Sequence, residues 1–369
     1  MIRDVKTKVI VLACALVIVC TASLCISSSN YKVYGLDVAL HALQVWVTTT
    51  YDAVTTGAYY TAVDYVNLEP NYFQVMSRIG AVFVSVICGM ILTVSGTIYQ
   101  SVFRNPVAAP TMLGVSSGLN LGIVLFVLVY GTAATSANLA TMHYLFAYGG
   151  AIIVLVIVLG FSYLLNGPRR FNVVDMLLIG SIVSVMLSQI ILYVSYEVFD
   201  EELWLTYTEI NEVMNVDTTA AAYAFLTAAF LVTFIPVYVF RFRLNALSFD
   251  DEETRGLGIN GARLRYLSIG VATIMVIAAL AHSGMVGMVS LIVPFVSRAY
   301  FGAEFRKQLV GNVLIGAALV TLCRSIADLL DIALYYSGMM FQFPVGIVAS
   351  LICMPAFVWV VATQQRTWD

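Results

Sequence analysis

The groups able to do chemistry in this chain are few and scattered. His41, His143 and His282 are its three histidines, far apart and without the spacing of a metal-ligand set. Its six cysteines, Cys14, Cys20, Cys25, Cys88, Cys323 and Cys353, all fall inside apolar runs, where they serve as small hydrophobes. They form no CxxC signature and no disulfide framework. Gly114-Val115-Ser116-Ser117-Gly118 matches the G-x-S-x-G pattern of a nucleophile elbow, but that turn needs a strand before it and a sheet around it. Here it opens an apolar run, so packing of helices through small residues is the reading. No G-x-x-x-x-G-K-[ST] phosphate loop occurs. Arg324 and Asp328, followed by Asp331, stand one helical turn apart, where they can pair. The sequence therefore assigns no catalytic residue, no cofactor-binding residue and no metal ligand, and the chain is read as a non-enzyme.

The elements around these residues explain the scarcity. Of 369 residues, 61% are hydrophobic and 11% charged, less than half the charge of a soluble domain at about 25%. Such a chain cannot cover a core in water, and it lacks the Pro, Ser and Glu excess of a disordered one. An all-α, polytopic membrane protein is what remains. A net charge of −3 gives no basic surface, so nucleic acid is not a partner. A helix needs about 20 apolar residues to cross a bilayer, and ten stretches qualify: 9–27, 77–101, 112–130, 142–165, 174–196, 219–240, 265–282, 285–300, 309–330 and 344–363. Gly114, Ser116, Ser117 and Gly118 interrupt the third, and Gly284, Gly287 and Pro294 the eighth, permitting bent or broken helices. The first follows Arg3, Lys6 and Lys8 as a secretion signal does, but it exceeds the usual apolar length of about 7 to 15 residues and is read as a retained span. No lipid attachment is expected at Cys20 or Cys25.

Orientation follows from counting Lys and Arg, which collect in cytoplasmic loops. With ten spans and both termini inside, 15 of the 18 basic residues are cytoplasmic, leaving Lys32, Arg78 and Arg324 for the outer side. The segment 197–217 is external and carries Glu197, Asp200, Glu201, Glu202, Glu209, Glu212 and Asp217 without one Lys or Arg. Residues 28–76 are also external. Their Tyr and Thr residues, with Trp46, suit the headgroup region. The whole of 1–369 is then one transmembrane domain, with 28–76 external or interfacial and 241–264 cytoplasmic. A titratable group deep in the membrane would mark an ion-coupled carrier, and no mid-membrane proton relay is visible.

Two stretches carry a resemblance. The first runs from Gly89-Met90-Ile91-Leu92-Thr93-Val94-Ser95-Gly96-Thr97-Ile98-Tyr99-Gln100 through Arg104-Asn105-Pro106-Val107-Ala108-Ala109-Pro110 to Leu113-Gly114-Val115-Ser116-Ser117-Gly118. The second comprises Leu244-Asn245, Leu247-Ser248, Arg255-Gly256-Leu257-Gly258-Ile259-Asn260, Gly284-Met285-Val286-Gly287 and Leu291-Ile292-Val293-Pro294, with Pro344-Val345-Gly346-Ile347-Val348 and Pro355 near the end. From about 78 to 363 this order resembles the FecCD-type permease subunits of bacterial ATP-binding cassette importers for iron-siderophores, haem and cobalamin. The resemblance implies a path on the two-fold axis of two permeases, identical or related. It also implies two cytoplasmic ATPase subunits that hold ATP and Mg, an extracellular substrate-binding protein, and residence in the bacterial plasma membrane among its lipids. Ferric siderophore is the first substrate choice, haem the second and cobalamin the third. An ion-coupled secondary transporter is the rival from another class.

The resemblance also implies roles for single residues. Ser248, Asp250, Asp251, Glu252, Glu253, Arg255, Leu257 and Gly258 match the helix that docks on the ATPase. Bottom-up, Ser248 can cap a short helix whose acidic first turn suits its positive end, as it would in any surface helix. Asn105 and Pro106 match the inner-gate loop, although Asn-Pro is also a plain turn signal. Gly180, Ser184 and Ser188, with Ser181, form a small polar stripe that either packs helices or lines the path. Arg78 is what remains of an R-x-P-R motif whose arginines meet the binding protein. Asp331 stands near where the family commonly has Arg, Asp250 where it has Gly, and Phe295 where it has His or Asn. With the acidic 197–217 segment, the reduced R-x-P-R motif and Asp331 suggest docking on a more basic partner surface; Asp250 bears instead on the fit to the ATPase, and the exchange at Phe295 has no physical account.

Overall fold

Where water is absent, an apolar chain can satisfy its own backbone only as a helix or a closed barrel, and the computed structural model is helical almost throughout. It describes residues 2–27, 32–56, 67, 72–135, 142–167, 173–212, 220–248, 254, 256, 258–284, 286, 288–302, 304–339 and 343–365. In chain order the helices are α1 (Ile2–Leu24), α2 (Leu36–Thr56), α3 (Tyr72–Phe103), α4 (Val115–Tyr130), α5 (Met142–Asn166), α6 (Val173–Glu197) and α7 (Glu201–Glu212). Then come α8 (Ala220–Val239), α9 (Arg241–Asn245), α10 (Gly261–Ser283), α11 (Val289–Phe301), α12 (Phe305–Tyr336) and α13 (Val345–Gln365). Between α1 and α2, β1 (Ile26–Ser27) pairs antiparallel with β2 (Lys32–Val33). The all-α expectation holds, and each of the ten apolar stretches coincides with a helix. Among the described residues, seven of these are long and apolar enough to cross a membrane; α8, α11 and α13 contain shorter apolar helices.

Two stretches depart from straight helices where Gly and Ser permit it. Before α4 the chain makes a 3-10 turn over Pro110–Leu113, and Gly114 then adopts φ 77°. That left-handed conformation strains most side chains, so glycine suits it. α11 has only 13 residues, a rise of about 20 Å against a hydrocarbon core of about 30 Å. The chain ahead of it turns at Gly284, φ 67°, and passes through fully buried Val286. Non-helical backbone is tolerated at membrane depth where protein shelters it.

The core is built around α3, which packs against α10, α11 and α12 and fully buries Ile91, Leu92, Ile98 and Tyr99. Glycine sets the closeness. A Cβ on Gly89 would overlap the backbone of Gly316 in α12, one on Gly316 would overlap Gly89 in return, and one on Gly96 would strike the Ser290 carbonyl of α11. α4 and α5 meet in the same way through Gly118, Gly122 and Gly150. Between helices in lipid such van der Waals contact replaces the hydrophobic drive available in water. Buried polar groups add to it: Thr93 Oγ1 donates to the Asn312 carbonyl at 2.8 Å, the Asn312 amide bonds Thr97, and the Tyr99 hydroxyl bonds Thr273.

The sequence reading assigns no element to 28–76 or to the acidic 197–217 segment, yet α2 and α7 form within them. α7 has a local cause. Asp200 Oδ1 accepts from the Leu203 amide at 2.8 Å, and Glu201 and Glu202 occupy the first turn, a capped and charge-matched helix start.

Candidate functional site

At one end of the bundle, the expected inner-gate turn and the expected coupling segment meet. After α3, Arg104 adopts φ 50°, uncommon for a residue with a Cβ. Asn105 then closes a turn: its Oδ1 accepts from the Val107 amide at 2.9 Å and its carbonyl from the Ala108 amide at 3.1 Å. An Asn side chain bonded to the backbone two residues on mimics a backbone turn, and Pro106 has no N–H to satisfy. From this turn Arg104 Nε donates to the Leu247 carbonyl at 3.4 Å.

The 241–264 segment is tied in at three further points. Asn245 Oδ1 accepts from the Phe305 amide, the first residue of α12, at 2.9 Å. Buried Thr254 donates from Oγ1 to the Ala246 carbonyl at 3.4 Å and accepts from the Ile259 amide at 3.1 Å. Gly258 turns at φ 73°, and Asn260 Oδ1 caps α10 by accepting from the Arg263 amide at 3.1 Å. Ser248 ends a 3-10 turn over Ala246–Ser248. The Ser248 side chain, and Asp250, Asp251, Glu252, Glu253, Arg255 and Leu257, lie outside the described residues. On the same end, Lys8 Nζ donates to the Tyr300 carbonyl at 3.1 Å and lies over its ring, holding α1 to the end of α11.

On α6 the polar stripe faces the break before α4. A Cβ on Gly180 would come within 2.5 Å of the Met112 carbonyl, one on Gly114 would lie 2.9 Å from Ser184 Oγ, and Ser188 Oγ lies 3.5 Å from Ser117 Oγ. Ser181, Ser184 and Ser188 also donate within their helix, to the carbonyls of Leu178, Gly180 and Ser184 at 2.9, 2.7 and 2.8 Å. Helix packing accounts for Gly180 and Ser184. Ser181 and Ser188 are exposed, beside exposed Val185 and Gln189.

At the other end an ionisable pair lies inside the bundle. Arg78 is only 3% exposed and pairs with Asp328 of α12, 2% exposed. Its charge therefore meets a carboxylate of the same chain inside the bundle. Arg324 Nε reaches the same carboxylate at 3.1 Å, the i,i+4 pair that the sequence allows. The Asp328 carboxylate thus holds two guanidinium groups, Arg324 of its own helix and Arg78, and only the latter joins α3 to α12. Next to it, Asp331 Oδ1 accepts from the Phe343 amide at 2.6 Å, fixing the approach to α13. Sequence reasoning missed the Arg78–Asp328 contact, which spans 250 residues. The available signal was that each is an ionisable group in an apolar run, where such groups pair. Two histidines remote in sequence also converge: Tyr144 stands 3.9 Å from the His143 ring and stacks at 4.3 Å and 14° on His282.

Comparison with known proteins adds to this geometry. A model of the FecCD transport family matches residues 15–363. An iron chelatin transport system permease protein of Helicobacter pylori is 29% identical over 290 residues, covering 76% of this chain and 80% of its own. The hemin transport system permease protein of Yersinia pestis is 28% identical over 290 residues, covering 78% and 83%. Among solved structures, an inward-facing metal-chelate type ABC transporter superposes with a TM-score of 0.74 at 24% identity, over 97% of this chain and 99% of that one.

Proposed function

Because the chain belongs to the FecCD transport family, we propose that it is the membrane permease subunit of an ATP-driven importer that carries an iron chelate across a bacterial plasma membrane. The observation that carries this reading is the family match along 15–363 together with the contact between the Asn105-Pro106 turn and the 241–264 segment. In this reading the ten apolar helices cross the bilayer with both termini inside, and two such chains, identical or related, flank the path. Two cytoplasmic ATPases bind ATP and Mg and supply the energy. An extracellular binding protein delivers the cargo, for which ferric siderophore is our first choice. Haem is the second, favoured by the relative named for hemin transport.

The residues of this chain then transmit motion rather than perform chemistry. A shift of the 241–264 segment pulls Leu247 and Asn245 together, and through them Arg104 and the start of α12. The α3 end moves with the Asn105 turn, and the break at Gly114 lets α4 tilt apart from the chain before it. Ser181 and Ser188 present small hydroxyls toward the path. Such groups pass a bulky chelate without trapping its metal.

The test is co-purification of the tagged chain with its genomic neighbours, followed by ATPase assay in liposomes. Binding protein loaded with ferric siderophore, haem or cobalamin is supplied in turn. The reading expects an ATPase to copurify and one loaded chelate to stimulate hydrolysis. A chain that purifies alone and moves solute under a proton gradient without ATP would instead be an ion-coupled transporter.

A further inference from the structure

α2 has three faces instead of two. Successive residues turn by about 100° around a helix, so Ala39, Ala42, Val45 and Thr49 share one side, and all four are buried. Ala39 and Ala42 pack with Val75 at the start of α3 and with Leu24 and Cys25 at the end of α1. Leu36, Leu40, Leu43, Val47 and Tyr51 form a second side, spaced at i, i+4, i+7, i+11 and i+15. These bulky apolar side chains are 36 to 67% exposed. Asp37, His41, Gln44, Thr48 and Thr55 form the third, also exposed.

A helix on a protein in water needs only an apolar side toward the core and a polar side toward solvent. The second apolar side of α2 has no use there. Nor does α2 read as a membrane span, since one side bears Asp37, His41, Gln44 and Thr48. Three faces match three surroundings: protein, water and acyl chains. The position of α2 agrees. It follows a membrane-length helix after the β1–β2 pair and packs against α1, whose Val17 and Ile18 are 62% and 65% exposed.

We propose that α2 lies along the membrane surface, with Leu36, Leu40, Leu43, Val47 and Tyr51 in the acyl chains and the Asp37 to Thr55 side toward water. Its Ala39 and Ala42 side braces the start of α3 through Val75, three residues ahead of Arg78. The helix contains no Lys or Arg, so its seat in the bilayer rests on apolar burial and not on attraction to anionic lipid.

The test introduces the photo-crosslinker p-benzoylphenylalanine singly at positions 40, 43 and 47, at 44 and 48, and at 18 on α1. The full chain is reconstituted in phosphatidylethanolamine vesicles with or without phosphatidylglycerol, irradiated, and weighed by mass spectrometry. Lipid adducts at 40, 43 and 47 are expected to match those at 18, to exceed those at 44 and 48 several-fold, and not to change with phosphatidylglycerol. Adducts at 18 with none on the stripe, or stripe adducts to a second copy of the chain, overturn the proposal. Loss of adducts at 18 as well overturns the membrane placement of α1 and α2 together.

Discussion

Replacing Asp328 with Asn isolates the charge that joins α3 to α12. Asp328 is 2% exposed and pairs with Arg78, 3% exposed, while Arg324 contacts it at 3.1 Å and has a side chain 13% exposed. Asn keeps the shape and removes the charge. The Arg78 guanidinium then stays buried beside a second cation with no anion between them. Removing one partner of a buried pair costs about 3–5 kcal/mol. Arg324 can extend its stem toward the headgroups, but Arg78 is 3% exposed and cannot, so a value of about 4 kcal/mol is expected, roughly a thousandfold in the unfolding equilibrium. The assay is unfolding in mixed micelles titrated with sodium dodecyl sulfate and followed by circular dichroism. It compares the wild type with Asp328→Asn and, as a closed cycle, with Arg78→Met, Asp328→Leu and the double variant Arg78→Met/Asp328→Leu. The double variant removes both desolvation costs and fills the volume with apolar groups, and Arg324 can extend its stem toward the headgroups. It should therefore recover at least about 2 kcal/mol relative to the sum of the single losses. A loss under about 1 kcal/mol in Asp328→Asn, or additive single effects, would refute the reasoning that this carboxylate holds the two helices together.

Further outcomes follow from the same geometry. Gly316→Val must push α12 away from Gly89 and should cost about 3 kcal/mol or more, whereas Gly149→Ala, with open space around it, should change stability by about 1 kcal/mol or less; the same titration measures both. Asn245→Ala removes the acceptor for the Phe305 amide, a cap worth about 1 kcal/mol. It should lower stimulation of ATPase activity by loaded binding protein while the ATPase still copurifies. Gly258→Ala strains a left-handed turn by about 1–2 kcal/mol and should weaken ATPase co-purification. Glu201→Gln with Glu202→Gln neutralises an exposed acidic helix start and should weaken association of the binding protein, measured by surface-immobilised binding; an unchanged affinity would remove the docking role of this segment.

Composition and spacing by themselves determined the class of protein. A chain with 61% hydrophobic and 11% charged residues has to bury its backbone polar groups in helices, so the apolar stretches could be read one by one and each is a helix. The break points were legible for the same reason, since Gly114 and Gly284 carry the backbone freedom that a broken helix requires. The Asn105-Pro106 turn was legible too, because its bonds are local. Tertiary structure decided what depends on distant partners. Arg78 reads in isolation as an outward charge; only the arrival of Asp328 from 250 residues away makes an interior position cheaper for it than an exposed one. The Gly180-Ser184-Ser188 stripe carries two meanings until α4 is placed against it, after which packing claims Gly180 and Ser184 and leaves Ser181 and Ser188 exposed. α2 is the same case on a larger scale. Its sequence holds apolar and polar residues in three sectors, and burial of the Ala39 and Ala42 side against α1 and α3 is what separates the face that meets protein from the apolar face left over.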